Sequence, residues 1–151
     1  MELIKNLKSE KVFYFFKQIS MIPRNSGNEK NISNYLLKFA KDRNLDVVQD
    51  SSFNIIIKKN ATKGYEDLQP VIIQGHMDMV CVKSNDSNHD FTSDPLELKL
   101  VDNKYLYANN TTLGGDNGIA IAYGLAILDS DDIKHPKLEF VFTTEEETTM
   151  N

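Results

Sequence analysis

The sequence predicts an α/β fold, a mixed-sheet sandwich in which helices cover strands. Three observations carry that expectation. Apolar residues recur at helical spacing in residues 11–22 and again from the Ser26–Glu29 box to about Arg43. Strand-like apolar runs occupy residues 46–49, 53–58, 70–74 and 138–144. Between the last two of these lies an apolar stretch, residues 118–128, long enough for a buried helix. Helices alternating with apolar strands need a shared sheet to pack on.

In residues 11–22, Phe15, Phe16, Ile19 and Ile22 share one helical face, and Pro23 ends the helix because it lacks an N–H and clashes with the preceding turn. Ser26 and Glu29 have the Ser-x-x-Glu spacing of a capping box, which predicts a second helix running to about Arg43. Its buried face is Ile32, Tyr35, Leu36, Phe39 and Ala40. Strands 46–49 and 53–58 are joined by the turn-like Asp50-Ser51-Ser52, and residues 60–67 are polar and loop-like. The short run 70–74 has no polar alternation, so it is expected to be buried on both faces at the sheet centre. After a polar excursion over 83–94, Leu96, Leu98 and Leu100 alternate with charged neighbours, turn at Asp102-Asn103, and return through Tyr105-Leu106-Tyr107 as a hairpin with one wet face. Residues 118–128 are apolar nearly all round, with Gly118, Ala122 and Ala126 forming a small-residue seam. Residues 138–144 form the last buried strand.

Composition narrows the function classes. A hydrophobic share of 40% and a charged share of 26% fit one globular domain with a core. A net charge of −5 and scattered lysines argue against a nucleic-acid surface. The single cysteine, Cys81, excludes an internal disulfide, fits a reducing compartment, and reads as a small buried hydrophobe. The first eight residues lack an apolar leader core, and residues 119–128 are about half a membrane span. The expectation is a cytoplasmic protein with neither nucleic-acid nor membrane partners.

Chemistry concentrates in three places. His76 and Asp78 follow a strand two residues apart, so they share a face; the imidazole can ligate a metal while the carboxylate fixes its tautomer. Asp116 sits in Gly114-Gly115-Asp116-Asn117-Gly118 at the start of the buried helix. An N-cap is the ordinary role for such an aspartate. The glycines open another, since they let backbone crowd a ligand, and a carboxylate held there could bridge two divalent ions. Glu145-Glu146-Glu147 ends the last strand, either as a solvated strand end or as diverging carboxylates, one on a metal and its neighbour on a water. Amide hydrolysis needs that division: a metal acidifies water and polarises the carbonyl, and a carboxylate moves the proton. His89 and His135 lie in loops and read as surface residues. The glycine-rich segment is not a phosphate loop, because no Gly-Lys-Ser/Thr follows it.

Four blocks together carry a resemblance: residues 22–29 (IPRNSGNE), 74–80 (QGHMDMV), 111–120 (TTLGGDNGIA) and 142–147 (FTTEEE). In that order they resemble the N-terminal part of the aminoacyl-histidine dipeptidases (Xaa-His or cytosol non-specific dipeptidases). That family is a branch of the zinc aminoacylase and carboxypeptidase superfamily. The resemblance implies that His76 is a metal ligand, Asp78 its orienting carboxylate and Asp116 the bridging ligand. It likewise makes Glu146 the general base and Glu147 a metal ligand. It implies Zn²⁺, two ions per complete site, with Mn²⁺ or Co²⁺ as substitutes, and a small dipeptide substrate. Residues 1–151 are then the N-terminal part of a catalytic domain that, in the family, carries an inserted second domain and usually dimerises. The pattern departs at Thr149, where the family usually has Gly. A further Asp ligand, a second His ligand and the inserted domain have no counterpart in these residues, so the 151-residue chain itself is expected to be inactive. Two alternatives stand beside the enzyme: an inactive remnant binding metal weakly, and an interaction module that keeps the sheet.

Overall fold

The structure, a computed structural model, describes residues 9–102 and 104–149. The leader reading on residues 1–8 and Asn103 of the hairpin turn lie outside them. The element order is α1 (Glu10–Ser20), α2 (Lys30–Asp42), β1 (Asp46–Gln49), β2 (Ile55–Lys59), β3 (Val71–His76), β4 (Leu98–Val101), β5 (Tyr105–Ala108), α3 (Gly115–Leu128) and β6 (Leu138–Thr143).

The main sheet has the order β1-β2-β6-β3. β6 pairs antiparallel with β2 and parallel with β3, so the sheet is mixed. Alternation sorts its two faces. Val47, Ile57, Phe140 and Ile73 lie in register on one face, with Ile55, Leu138 and Phe142 beside them. Those residues join Phe15, Phe16, Ile19, Ile32, Leu36, Ile121 and Leu125 in one core. Each fully buried side chain of this size contributes about 1.5–3 kcal/mol. The other face carries Val48, Ile56, Ile72 and Val141 and is open, with Val48 and Ile72 exposed.

Two expectations are corrected here. β3 is an edge strand, and its first four residues are exposed or half-buried, so it is not buried on both faces at the sheet centre. β6, arriving last in the chain, takes the centre by pairing on both sides, which local pattern could not foresee. α3 is not buried all round either: Ile119 and Tyr123 point outward, because the helix packs against α1 and β3 and leaves a flank open.

α1 ends at Ser20, earlier than the apolar spacing predicted, and leaves Ile22 half-buried against the core. Asp129, just past α3, ties three helices together by accepting from Lys11 of α1 and from Arg43 past the end of α2. Burial works to raise the Asp129 pKa, but the hydrogen bonds from Lys11 and Arg43 and their charges outweigh it and hold the carboxyl below its usual range. Lys59 closes the C-terminal end of α3, donating to the carbonyls of Ile127 (3.1 Å) and Leu128 (3.0 Å), where a cation suits the helix dipole. β4 and β5 form a separate two-stranded sheet, the predicted hairpin.

Candidate metal centre

The parallel pair β3 and β6 ends on one side of the molecule, and the sequence-predicted residues gather there. Ligands of open α/β sheets commonly sit beyond the carboxyl ends of such strands. His76 is the last residue of β3, the Glu145–147 triplet follows β6, and Asp116 stands at the start of α3.

Gly75 allows the close approach of α3. A Cβ there would lie 2.7 Å from Asn117 Oδ1 and 3.1 Å from the Ala120 Cβ. Gly114 turns the chain into α3 at φ +64°, a conformation glycine adopts without the penalty other residues meet. Asp116 is not the N-cap. Gly114 holds that position, Asp116 has non-helical dihedrals (φ −86°, ψ 114°), and its side chain is 83% exposed. Its carboxylate is therefore not spent on orphan amides, and Oδ1 accepts from the Asn117 side-chain amide at 3.2 Å.

His76 is buried, with Nδ1 3.0 Å from the Asp78 carbonyl oxygen and 3.3 Å from Asp78 Oδ1. Both neighbours can only accept, which puts the ring proton on Nδ1 and the lone pair on Nε2. That lone pair faces Asp116 Oδ1 at 3.2 Å and Glu146 Oε2 at 3.8 Å. Acceptors meeting at such distances repel unless a cation or a proton lies between them. His76, Asp116 and Glu147 each offer a ligand atom, all within 4.8 Å of one another. This donor set, one imidazole and two carboxylates, suits a divalent cation.

Asp78 is fully buried behind His76 and is not among the ligand atoms of the cluster. Its Oδ2 accepts from the Ser26 hydroxyl (2.7 Å) and the Glu147 N–H (3.1 Å), and Oδ1 accepts from the Glu146 N–H (3.1 Å). Burial works to raise its pKa. The hydrogen bonds from Ser26, Glu147 and Glu146, with the nearby His76, overcome that and hold the carboxyl below its ordinary value. Glu145 takes a left-handed conformation (φ 55°), which turns the following two N–H groups onto Asp78. The three glutamates thus separate: Glu147 joins the cluster, Glu146 flanks it half-exposed, and the Glu145 carboxylate accepts from Thr149 (3.2 Å).

Three residues of the site escaped the sequence reading. Ser26 and Glu29 do not form a capping box: Glu29, not Ser26, occupies the N-cap position of α2, and no side chain bonds the free amides of its first turn. The Ser26 hydroxyl is used by Asp78, and Glu29 Oε1 accepts from the Glu145 N–H at 3.0 Å. Arg24 is 2% exposed and donates to Met77 O, Asp78 O and Gly114 O. Glu29 does bond a backbone amide, as a capping box would, but that amide belongs to a distant loop, and the Ser26 hydroxyl donates to a carboxylate instead.

The remaining candidates lie elsewhere. Cys81 is half-buried, its thiol 3.4 Å from Met79 O, and burial pushes its pKa up. His89 packs edge-on against Phe91. His135 is buried, not a surface residue, because Thr62 pins its loop: Thr62 Oγ1 accepts from the His135 N–H (3.0 Å) and the Thr62 N–H returns to His135 O (3.0 Å). None of the described helices is long and apolar enough to cross a membrane.

No family model matches the chain. It is 38% identical over 151 residues to the cytosol non-specific dipeptidase of Escherichia coli (strain K12), a match covering 100% of this chain and 31% of that protein. The crystal structure of aminoacylhistidine dipeptidase from Vibrio alginolyticus superposes with a TM-score of 0.92 at 40% identity, over 97% of this chain and 30% of that one. A Bacillus subtilis dinuclear metal-binding peptidase of the M20 family shares the fold at 14% identity, with a TM-score of 0.55 over 90% of this chain and 35% of its own. The chain therefore spans about a third of the length of the relatives it matches. By sequence and by fold, along its whole length and about a third of theirs, the chain is similar to the cytosol non-specific dipeptidase and to the aminoacylhistidine dipeptidase.

Proposed function

We propose that this site serves the hydrolysis of dipeptides, Xaa-His among them, with a divalent cation held by His76, Asp116 and Glu147. Zinc suits these ligands, and Mn²⁺ or Co²⁺ can replace it. The observation that carries the reading is the convergence of those three donors within 4.8 Å, from three separate chain segments. Bound there, the cation would polarise an amide carbonyl and acidify water. The protein's own part is positioning and proton transfer. The Asp78 carbonyl, with the carboxylate beside it, keeps the proton on His76 Nδ1, so that Nε2 offers its lone pair. Glu146, 41% exposed and 3.8 Å from His76 Nε2, is placed to take a proton from the attacking water and return it to the leaving amine. Beside it, a groove of about 430 Å³ on the open sheet face, lined by Val48, Ile56, Val141 and Glu146 among others, gives an apolar floor next to the carboxylate.

Asp116 is the carboxylate suited to be shared with a second ion. The three donors found among the described residues furnish one well-formed site, and a pair of ions needs more. The 151-residue chain is therefore expected to bind one ion and to turn over little alone. The cytosol is the compartment in the Escherichia coli relative's name, and we assign this protein there, as a homodimer in the complete enzyme. The test is a chimera in which this chain replaces the matched 31% of that dipeptidase. A chimera that cleaves an Xaa-His dipeptide, and loses the activity in Glu146→Gln with its metal content unchanged, supports the proposal. A folded, metal-loaded chimera without activity, or a Glu146→Gln chimera within a few-fold of the parent, overturns it.

A further inference from the structure

His76 and Asp116 are 40 residues apart, with a polar excursion and a hairpin between them, so no local geometry sets their spacing. Something distant must hold the loops together. The segment between α1 and α2 supplies no donor to the cluster, yet bonds to each of the loops that do. Arg24 Nη1 donates to Met77 O (3.0 Å) and Asp78 O (3.3 Å), just past His76. Its Nη2 donates to Gly114 O (2.7 Å), two residues before Asp116. Ser26 reaches Asp78, and Glu29 holds the Glu145 N–H at the head of the glutamate triplet.

Arg24 is an expensive choice for mere packing. A guanidinium this buried loses its hydration. Burial pushes its pKa down to about 10, so it stays charged near neutrality, and its Nε is buried without a partner. The fork geometry justifies the residue. A planar guanidinium donates in two directions at once, whereas a lysine ammonium in the same space reaches one loop or the other. We propose that residues 24–29 form a positioning segment, in which Arg24 sets the separation of His76 and Asp116 while Ser26 and Glu29 orient Asp78 and the glutamate triplet. This rests on the metal reading above.

The experiment is a Co²⁺ titration of the 151-residue chain followed by visible absorption, with thermal melts of each metal-free variant. Wild type should bind, His76→Ala should not, and Arg24→Lys should bind about 10–100-fold more weakly with an altered band, the effect typical of losing support behind a ligand. Ser26→Ala, a change too small to prevent folding, should weaken binding and lower the melt only by the loss of one hydrogen bond to Asp78. Glu29→Gln keeps an acceptor and should bind like wild type, whereas Glu29→Ala should not. If wild type and His76→Ala behave as stated but folded Arg24→Lys and Ser26→Ala bind within twofold of wild type, the positioning role is overturned alone. If Arg24→Lys does not fold, Ser26→Ala and the Glu29 pair decide in the same way. A wild-type chain that binds no Co²⁺, or a His76→Ala chain that binds normally, overturns the metal reading and this inference together.

Discussion

Replacing Asp78 by Asn keeps the shape of the buried group and removes its charge and one acceptor. The structure sets the cost. With the new amide NH₂ in the Oδ1 position, it would face two donors, the Glu146 N–H and His76 Nδ1–H. In the Oδ2 position, the Ser26 hydroxyl can turn to accept, and only the Glu147 N–H is orphaned. The second arrangement wins. One buried donor left unsatisfied and the loss of charge-assisted bonds together cost about 2–4 kcal/mol of stability. His76 keeps its 3.0 Å contact to the Asp78 carbonyl, so its tautomer survives, and the metal affinity should fall by about 10–100-fold. His76→Ala removes the ligand itself and should fall beyond that range. Zinc titration calorimetry, with chemical denaturation of the metal-free protein, measures both quantities. An Asp78→Asn protein binding within twofold of wild type, or one indistinguishable from His76→Ala, would refute the idea that Asp78 acts through the imidazole.

Other consequences follow from the same geometry. Gly114→Ala should cost at least about 2 kcal/mol in a denaturant melt, because its φ is +64° and a Cβ would lie 2.7 Å from Met79 Sδ and closer still to buried Arg24. Phe140→Ala, at a position with no exposure in the central strand, should cost about 3–5 kcal/mol by the same melt. Asp129→Asn should cost roughly 1 kcal/mol at pH 7. Since the folded carboxyl is held below its ordinary value, this stability is present above the unfolded pKa of about 3.9 and is lost as pH falls through the folded pKa. Melts of the two proteins should therefore converge near pH 2, and a gap that persists there would contradict the assignment.

Much of the architecture was legible because it follows from period and punctuation. The core face of α2 and the alternation of the β4–β5 hairpin are local patterns, and the structure keeps both. What failed was non-local. The apolar run that became β3 reads as a central strand, but its place at the edge depends on where β6 docks from the far end of the chain. The same limit explains the site. His76, Asp116 and Glu147 carry recognisable chemistry at element ends, and they converge. Arg24 carries no such signal, since its partners are three carbonyl oxygens that any sequence would provide. Glu29 showed the right appetite for an amide at the wrong address, and Ser26 donates to the Asp78 carboxylate instead.

The proposed cation site draws its three side chains from three chain segments. Crystals of the 151-residue chain grown with Zn²⁺, measured at the zinc absorption edge, test it most directly. A single strong anomalous peak is expected at about 2.0–2.2 Å from His76 Nε2 and from carboxylate oxygens of Asp116 and Glu147. A peak held instead by His89, His135 or Cys81, or a bound ion that none of the three touches, would contradict it.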